Sequence, residues 1–189
     1  MKTVCVYCGS RVGVREAYAD AARDLARHLA ANGVGIVYGG ASRGLMGILA
    51  DEMLANGGSA IGVIPAALQA REIAHTNLTE LHVVNSMHER KALMAELSEG
   101  FVALPGGFGT LEEIVEMLTW AQLQFHAKPC GLLNAEGYFD RLLAWFDHAE
   151  AEGFLRPQHR KMLLVASDAP ELMARFEEYQ APAVQKWAR

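Results

Sequence analysis

The chain has 189 residues, of which 51% are hydrophobic and 21% charged, and its net charge is -5. These values are typical of a single globular domain over 1–189, and they argue against the basic face that broad nucleic-acid binding requires. No apolar run approaches the roughly 20 residues of a membrane span, and the chain enters a strand directly, without a signal sequence. We therefore expect a cytoplasmic protein with no nucleic-acid or membrane partner.

Short apolar runs alternate with helical patterns along the whole chain. The predicted strands are Thr3–Cys8, Gly35–Tyr38, Ala60–Ile64, Leu81–Val84, Phe101–Leu104, Cys130–Leu133 and a short last strand at Val165. The predicted helices are Arg15–Ala31, Gly44–Asn56, Met87–Ser98, Leu111–Gln124, Tyr138–Glu152 and Pro170–Tyr179, and Ala66–Glu80 is a longer, mixed segment. This alternation predicts a Rossmann-like α/β fold of three layers, with a mostly parallel central sheet of about seven strands. Ligands of such sheets bind at the carboxyl ends of the strands, where three glycine-bearing turns then lie on one rim.

The most informative of these turns is Leu104-Pro105-Gly106-Gly107-Phe108-Gly109-Thr110, between the fifth strand and its helix. Backbone N–H groups at a helix start bind phosphate, and glycine lets the ligand approach the backbone closely. Glu113 follows at once, and a place in the first helical turn would favour its ionised form. Thr110 and Glu113 also fit a T-x-x-E capping box, in which Glu113 only returns a hydrogen bond to the Thr110 amide. The three glycines favour a ligand site, because a cap does not need them.

The second turn, Gly39 to Gly44, fits two nucleotide-binding patterns poorly. Its G-x-x-x-x-G spacing matches a P-loop, but Leu45 and Met46 stand where Lys and Ser or Thr are required. The turn is also a poor dinucleotide fingerprint, because it follows the second strand and because no acidic residue ends the next strand, at Ile64, to bind a ribose hydroxyl. We prefer a turn whose backbone cradles a phosphate.

The same turn contains a literal G-x-S-x-G around Ser42, the pattern of a hydrolase nucleophile. Asp147 and His159 follow in the order of a Ser-Asp-His triad. The pattern comes early for that fold and leaves the Gly106 turn unexplained, so a serine hydrolase stays a weaker alternative.

Two adjacent cations, Arg90 and Lys91, lie just after the fourth predicted strand and therefore on the same rim. Cations at a helix N-terminus oppose the helix dipole, which indicates an anionic ligand or a carboxylate partner. Cys5 and Cys8 have the C-x-x-C spacing of redox or metal sites. Residues three apart in a strand point to opposite faces, so we interpret both as ordinary strand cysteines.

The Pro105–Glu113 motif and the Arg90-Lys91 pair together resemble the Lonely Guy (LOG) family. The family signature reads P-G-G-x-G-T-x-x-E, with an Arg-Lys pair one strand upstream. The resemblance covers roughly Lys2 to Glu178, including Val4–Ser10 and Leu118–Leu123. The members are cytokinin riboside 5′-monophosphate phosphoribohydrolases. An older label of such sequences, "lysine decarboxylase", has no support here, because we find no clear context for a pyridoxal-phosphate lysine.

The resemblance implies a homodimer without a metal or redox cofactor, whose ligand is a nucleoside 5′-monophosphate. The catalytic pair falls on Arg90 and Glu113. The family's other ligand contacts fall on Glu72, Lys91, Gly107, Phe108, Gly109, Thr110 and Thr119. Phe108 stands where many members carry Tyr. From the glycine turns and the helix start we add Gly9, Ser10, Gly39, Gly40, Leu111 and Glu112 as candidate substrate contacts.

The implied reaction is hydrolysis of the N-glycosidic bond of a cytokinin-type or plain purine riboside 5′-monophosphate. Cleavage builds positive charge on the ribose, and an anionic Glu113 can stabilise that charge or activate the attacking water. Arg90 can hold Glu113, bind the ligand, or do both, and Arg90 with Lys91 is expected to offset the negative charge of the phosphate and Glu113. The alternative is a non-catalytic nucleotide or phosphoribosyl binder, which would not need the carboxylate.

Overall fold

A computed structural model describes residues 1–69 and 74–182 of the chain. Its strands are β1 (Thr3–Tyr7), β2 (Gly35–Tyr38), β3 (Ala60–Pro65), β4 (Glu80–Val84), β5 (Phe101–Ala103), β6 (Cys130–Leu133) and β7 (Leu163–Ala166). Its helices are α1 (Glu16–Ala31), α2 (Gly44–Ala55), α3 (Ala66–Gln69), α4 (Met87–Glu96), α5 (Phe108–Gln122), α6 (Asp140–Ala151), α7 (Pro157–Arg160) and α8 (Ala169–Glu178). A short 3-10 turn, Ala135–Gly137, precedes α6.

The seven strands form one sheet in the order β4-β3-β2-β1-β5-β6-β7, and every neighbouring pair is parallel. Helices α1, α2 and α8 pack on one face of the sheet, and α4, α5 and α6 on the other. The predicted three-layer α/β/α architecture is therefore confirmed. The direction of chain winding reverses between β1 and β5, and such a switch point opens a crevice at the carboxyl ends of the two strands.

The central strand β1 shows why the runs are apolar on both faces. Its side chains alternate between the two cores: Val4 and Val6 pack with α1 and α2, whereas Cys5 and Tyr7 pack with α4 and α5. Cys8 lies with the first group and Cys5 with the second. The prediction that the two thiols diverge is confirmed. Because they lie on opposite faces of the sheet, they do not form the joint redox or metal site that a C-x-x-C spacing can indicate.

The structure differs from the sequence-based prediction mainly at element ends. Helix α5 starts at Phe108, three residues before the predicted start, because Gly107 and not Thr110 is its N-cap. The short helices α3 and α7 were not predicted, since four residues are too few to show a helical period. Strand β7 covers Leu163–Ala166 rather than Val165 alone.

Candidate active site

The crevice between β1 and β5 brings the three glycine-bearing turns into direct contact. Gly9, which follows β1, donates its N–H to the carbonyl of Pro105 after β5 over 3.0 Å. The carbonyl of Gly9 accepts the N–H of Leu45 in α2, also over 3.0 Å. A Cβ on Gly44 would lie 2.3 Å from the carbonyl carbon of Ser10, so only glycine fits at position 44. The predicted clustering of the turns on one rim is confirmed.

Helix α5 points its N-terminus into this crevice. Its N-cap is Gly107, and Phe108, which is 95% exposed, is the first helical residue. Thr110 therefore lies inside the first turn, and Glu113 lies in the second. The capping-box hypothesis is wrong, because Thr110 is not the N-cap. The dipole argument for an ionised Glu113 also fails, since the field of a helix end falls off within the first turn.

The glycines of this turn have two different reasons for being glycine. A Cβ on Gly106 would lie 2.1 Å from Oγ1 of Thr110 and 3.0 Å from N of Gly9, so Gly106 is required by packing. Gly107 and Gly109 have no atom within 4 Å of an added Cβ, and neither has a positive φ. Packing does not require glycine at these two positions, and open space in front of the backbone is what a closely approaching ligand needs. Thr110 is only 4% exposed and shapes the turn from behind.

Arg90 is a buried cation at the same edge of the sheet. Its side chain extends from the first turn of α4 over the ends of two strands, and the residue is 6% exposed. Nε donates to the carbonyl of Val63 over 3.0 Å, and Nη2 donates to the carbonyl of Gly39 over 3.1 Å. A guanidinium has five N–H groups, so donors remain for a further partner. A cation held in this way is costly to desolvate, which favours a functional role over a stabilising one.

Gly39 is part of the support for Arg90. A Cβ at this position would lie 2.2 Å from Nη2 of Arg90, so any side chain would displace the guanidinium. Gly40 follows with a φ of +76° and accepts the N–H of His75 over 2.9 Å. Both residues were predicted as a phosphate cradle; in the structure the carbonyl of Gly39 binds Arg90, and that of Gly40 binds the backbone of His75.

Lys91 is only 7% exposed, but it faces carboxylates. Its Nζ lies 2.5 Å from Oε1 of Glu112 and 2.9 Å from Oε2 of Glu116, both on α5. Burial lowers the pKa of Lys91, but these two carboxylates outweigh it, and the net pKa is raised. Of the two explanations that the sequence left open, carboxylate pairing therefore applies to Lys91.

Glu113 lies in the second turn of α5, a helix that packs against β1. Burial raises the pKa of the Cys5, Tyr7 and Cys8 side chains, and the carboxylate of Glu113 raises each of them further. The guanidinium of Arg90 acts in the opposite direction and lowers the pKa of Cys5. Both charged groups therefore lie close enough to β1 to act on one thiol.

Two further predicted contact residues, Glu72 and Thr119, have different outcomes. Glu72 lies outside the described residues. Thr119 is nine residues after Thr110 on α5, which puts it about 13 Å along the axis and half a turn around the helix. Its Oγ1 donates to the carbonyl of Val115 over 2.8 Å on the exposed side.

The residues of the serine-hydrolase alternative are also separated. Ser42 follows β2 and so lies at the carboxyl edge of the sheet, whereas His159 is in α7, which leads into the amino end of β7. Strands β1, β5 and β6 stand between β2 and β7. Asp147 pairs with Arg160 over 2.8 Å, and Nδ1 of His159 lies 2.9 Å from Nε2 of Gln122. The triad hypothesis is therefore wrong.

Tyr138 is a neighbour of the site that the sequence reasoning missed. Its hydroxyl donates to the carbonyl of Gly106 over 2.6 Å. It also lines both cavities beside the glycine turn, one of about 330 Å³ toward α6 and one of about 260 Å³ toward the Gly9 turn. The available signal was its position between β6 and α6, at the same edge of the sheet as the glycine-bearing turns.

Neither a metal site nor a membrane span is found in the parts of the chain that the structure describes. Over 1–69 and 74–182, no three His, Cys, Asp or Glu side chains come together as a metal ion would need. None of the helices in these ranges is both long and apolar enough to cross a bilayer.

Comparison with known proteins identifies the family. A family model described as "Possible lysine decarboxylase" matches residues 46–176. A probable cytokinin riboside 5′-monophosphate phosphoribohydrolase of Oryza sativa subsp. japonica is 53% identical over 178 residues, which cover 94% of this chain and 78% of the relative. The cytokinin riboside 5′-monophosphate phosphoribohydrolase LOG1 of Arabidopsis thaliana is 47% identical over 178 residues, covering 94% of this chain and 84% of that protein. The chain belongs to the LOG family. The resemblance based on the Pro105–Glu113 motif and the Arg-Lys pair is thereby confirmed.

Solved structures outside these relatives share the fold of this LOG-family chain. The molybdenum cofactor carrier protein of Chlamydomonas reinhardtii, 22% identical, superimposes with a TM-score of 0.71 over 94% of this chain and 96% of that chain. The molybdenum cofactor binding protein of Rippkaea orientalis, 18% identical, gives a TM-score of 0.70 over 94% and 97%. At such identities the similarity concerns the fold alone.

Proposed function

We propose that the protein hydrolyses the N-glycosidic bond of purine riboside 5′-monophosphates. Water adds its hydroxyl to C1′ of the ribose and its proton to the base, so the products are free base and ribose 5-phosphate. The observation that carries the proposal is an open helix N-terminus at the same edge of the sheet as the buried Arg90, with Glu113 in the second turn of that helix. The LOG relatives, named as enzymes of this reaction on cytokinin riboside 5′-monophosphates, support it.

The 5′-phosphate is proposed to lie at the start of α5. The N–H groups of Gly107, Phe108, Gly109 and Thr110 have no intrahelical acceptor at such a terminus, and they favour an anion. Leu111 continues the helix behind them, and Gly9 with Ser10 forms the opposite wall. Binding energy from the phosphate would position the ribose for reaction, although the phosphate does not itself react.

Glu113 and Arg90 are proposed to act on the ribose–base bond. The transition state carries positive charge on the ribose ring, which the Glu113 carboxylate can stabilise while accepting a proton from the attacking water. The N–H groups of Arg90 that Val63, Gly39 and the sulfur of Met87 do not use can bind the ligand or orient Glu113. Lys91 is already neutralised by two carboxylates, so it contributes less charge to the phosphate than the sequence indicated.

The experiment is incubation with AMP and with isopentenyladenosine 5′-monophosphate, followed by chromatography for free base and ribose 5-phosphate. Glu113→Gln should bind the nucleotide with similar affinity but lose turnover by at least about 100-fold, the scale of a lost acid–base group. Glu116→Gln, the same change one helical turn later, is the matched control and should keep turnover. A wild-type protein that binds both nucleotides and releases no base would be the non-catalytic binder instead.

A homodimer and a cytoplasmic location are part of the proposal. Thr119 lies about 13 Å along α5 from Thr110 and half a turn around the helix. A ligand that contacts both a Thr110 and a Thr119 is therefore proposed to take the Thr119 from a second copy of the chain. Light scattering on the purified protein should then give twice the mass of 20.6 kDa. The three free, buried cysteines suit a reducing compartment.

A further inference from the structure

Tyr138 reaches the glycine turn from a distant part of the chain. It lies between β6 and α6, 32 residues from Gly106, and its hydroxyl donates to the Gly106 carbonyl over 2.6 Å. That carbonyl belongs to the peptide that joins Gly106 to Gly107, the N-cap of α5. The phenol therefore holds the peptide that leads into the N-cap of α5.

Holding this carbonyl also fixes the direction of an N–H group. The Gly106–Gly107 peptide is trans, and in a trans peptide the C=O and N–H bonds point in opposite directions. While the Gly106 oxygen points to Tyr138, the Gly107 N–H points away from Tyr138. Gly107 supplies the first of the N–H groups to which the phosphate is proposed to bind.

The glycine turn needs such an anchor. Gly107 has no side chain and no atom within 4 Å of the position of a Cβ, so packing does not restrain it. Gly106 is held on its other side by Thr110 and Gly9, at 2.1 Å and 3.0 Å from an added Cβ. The hydroxyl of Tyr138 supplies the hydrogen bond that these contacts do not.

The ring of Tyr138 is itself held in place. It packs edge-on against Tyr18, with centroids 5.4 Å apart, and against Phe139, at 5.0 Å. The preceding turn places Glu136 at a φ of 54° and Gly137 at 66°. A left-handed Glu costs conformational energy, and residues in such conformations concentrate at functional sites. The side-chain oxygen of Asn134 also accepts the N–H of Phe139 over 2.7 Å.

From this geometry we infer that Tyr138 is a positioning residue for phosphate binding. Its hydroxyl orients the Gly106–Gly107 peptide so that the Gly107 N–H faces the 5′-phosphate. This inference rests on the proposed function and adds a residue that the family signature does not contain. Because it concerns only the phosphate, it predicts an effect on phosphorylated ligands and none on their unphosphorylated counterparts.

The test compares Tyr138→Phe with Tyr18→Phe, which removes a hydroxyl from the neighbouring ring and leaves the bond to Gly106 intact. Calorimetry gives Kd for ribose 5-phosphate and for adenosine, and steady-state kinetics gives KM and kcat for AMP. In Tyr138→Phe, Kd for ribose 5-phosphate and KM for AMP should rise about threefold to tenfold, the value of one hydrogen bond. The kcat should stay within about twofold, because the peptide binds substrate and transition state alike. Adenosine binding should not change, and Tyr18→Phe should match the wild type.

Three results would overturn the inference. They are an unchanged Kd for ribose 5-phosphate in Tyr138→Phe, an equal loss of adenosine binding, and the same loss in Tyr18→Phe. The last two would reduce Tyr138 to packing. A wild-type protein that neither binds ribose 5-phosphate nor cleaves AMP would reject the proposed function itself, and with it the inference.

Discussion

The guanidinium of Arg90 donates to the carbonyl of Gly39 over 3.1 Å, and this bond joins the start of α4 to the end of β2. The bond exists because residue 39 has no side chain: a Cβ would lie 2.2 Å from Nη2 and 3.0 Å from the sulfur of Met46. The position of the Arg90 guanidinium therefore depends on a glycine at residue 39, although 51 residues separate the two.

Gly39→Ala should inactivate the enzyme through Arg90. The added methyl group would push the guanidinium away from the carbonyl of Val63 that it now binds. Misplacement of a site group by about 1 Å costs on the order of 100-fold in rate, so turnover of AMP should fall by that scale. Steady-state kinetics measures the loss, and circular dichroism should show that the fold is kept.

The control for this change is Gly33→Ala, at the end of α1. Gly33 has a φ of 67° and open space around it, so alanine there is strained but displaces nothing. It should lower the unfolding temperature and leave turnover normal. If Gly39→Ala is also fully active, Arg90 tolerates displacement and has no place in the mechanism.

Most of the fold could be predicted from the sequence, because buried parallel strands are continuous apolar runs and the helices between them are amphipathic. The positions of β2 and β6 agree with the prediction to the residue. The strand order could not be derived, since no local pattern states which strand lies beside β1. The order is nevertheless what places the Gly106 turn at the switch point.

The candidate site was predictable only in its residue types. The glycine pattern of the Gly106–Thr110 turn and the position of Arg90 after a predicted strand indicated the site. The predicted start of α5 was wrong, because Thr110 and Glu113 have the spacing of a capping box although Gly107 is the N-cap. Side-chain caps do form at α4, where Oγ of Ser86 accepts the N–H of Glu89, and at α8, where Asp168 accepts the N–H of Glu171. The partners of Lys91 and the bond from Tyr138 to Gly106 depend on tertiary contacts, which sequence spacing does not contain.

Lys91 is expected to contribute to stability more than to catalysis. Lys91→Met would remove both ion pairs between α4 and α5 and keep most of the side-chain volume. Because Glu112 is half exposed, the loss should be modest, about 1–2 kcal/mol in the free energy of unfolding. Urea denaturation of both proteins measures this loss. A loss of turnover without a loss of stability would show instead that Lys91 acts mainly as a substrate contact.

The pH dependence of this difference follows from the pKa of Lys91. The folded-state pKa lies above the ordinary value of 10.5, so the stabilisation is complete below 10.5 and is lost as pH rises through the folded pKa. The difference in the free energy of unfolding between wild type and Lys91→Met should therefore stay constant through the neutral range and become smaller only in strongly alkaline solution. A difference that already becomes smaller near neutral pH would contradict the ion-pair assignment.

The three thiols should be chemically silent in the folded protein. Burial raises the pKa of Cys5, Cys8 and Cys130, so the reactive thiolate is rare and inaccessible. An aromatic disulfide reagent at mildly alkaline pH should detect no thiol in the native state and all three after denaturation in urea. Rapid reaction of the native protein would show that the β1 core opens.

His126 should make the fold less stable in acid. Burial lowers its pKa; Nε2 lies 3.0 Å from the carbonyl of Met117, and Nδ1 accepts the N–H of Lys128 over 3.1 Å. Protonation of Nδ1 would break the second bond. Since the folded pKa lies below the ordinary 6.5, the stabilisation is present above that pH and declines as pH falls below it.

His126→Gln should keep a donor toward Met117 and show a shallower loss of stability on acidification, measured by urea denaturation. The exposed His148→Gln should follow the wild-type curve, and parallel curves for all three proteins would rule out His126 as the titrating group.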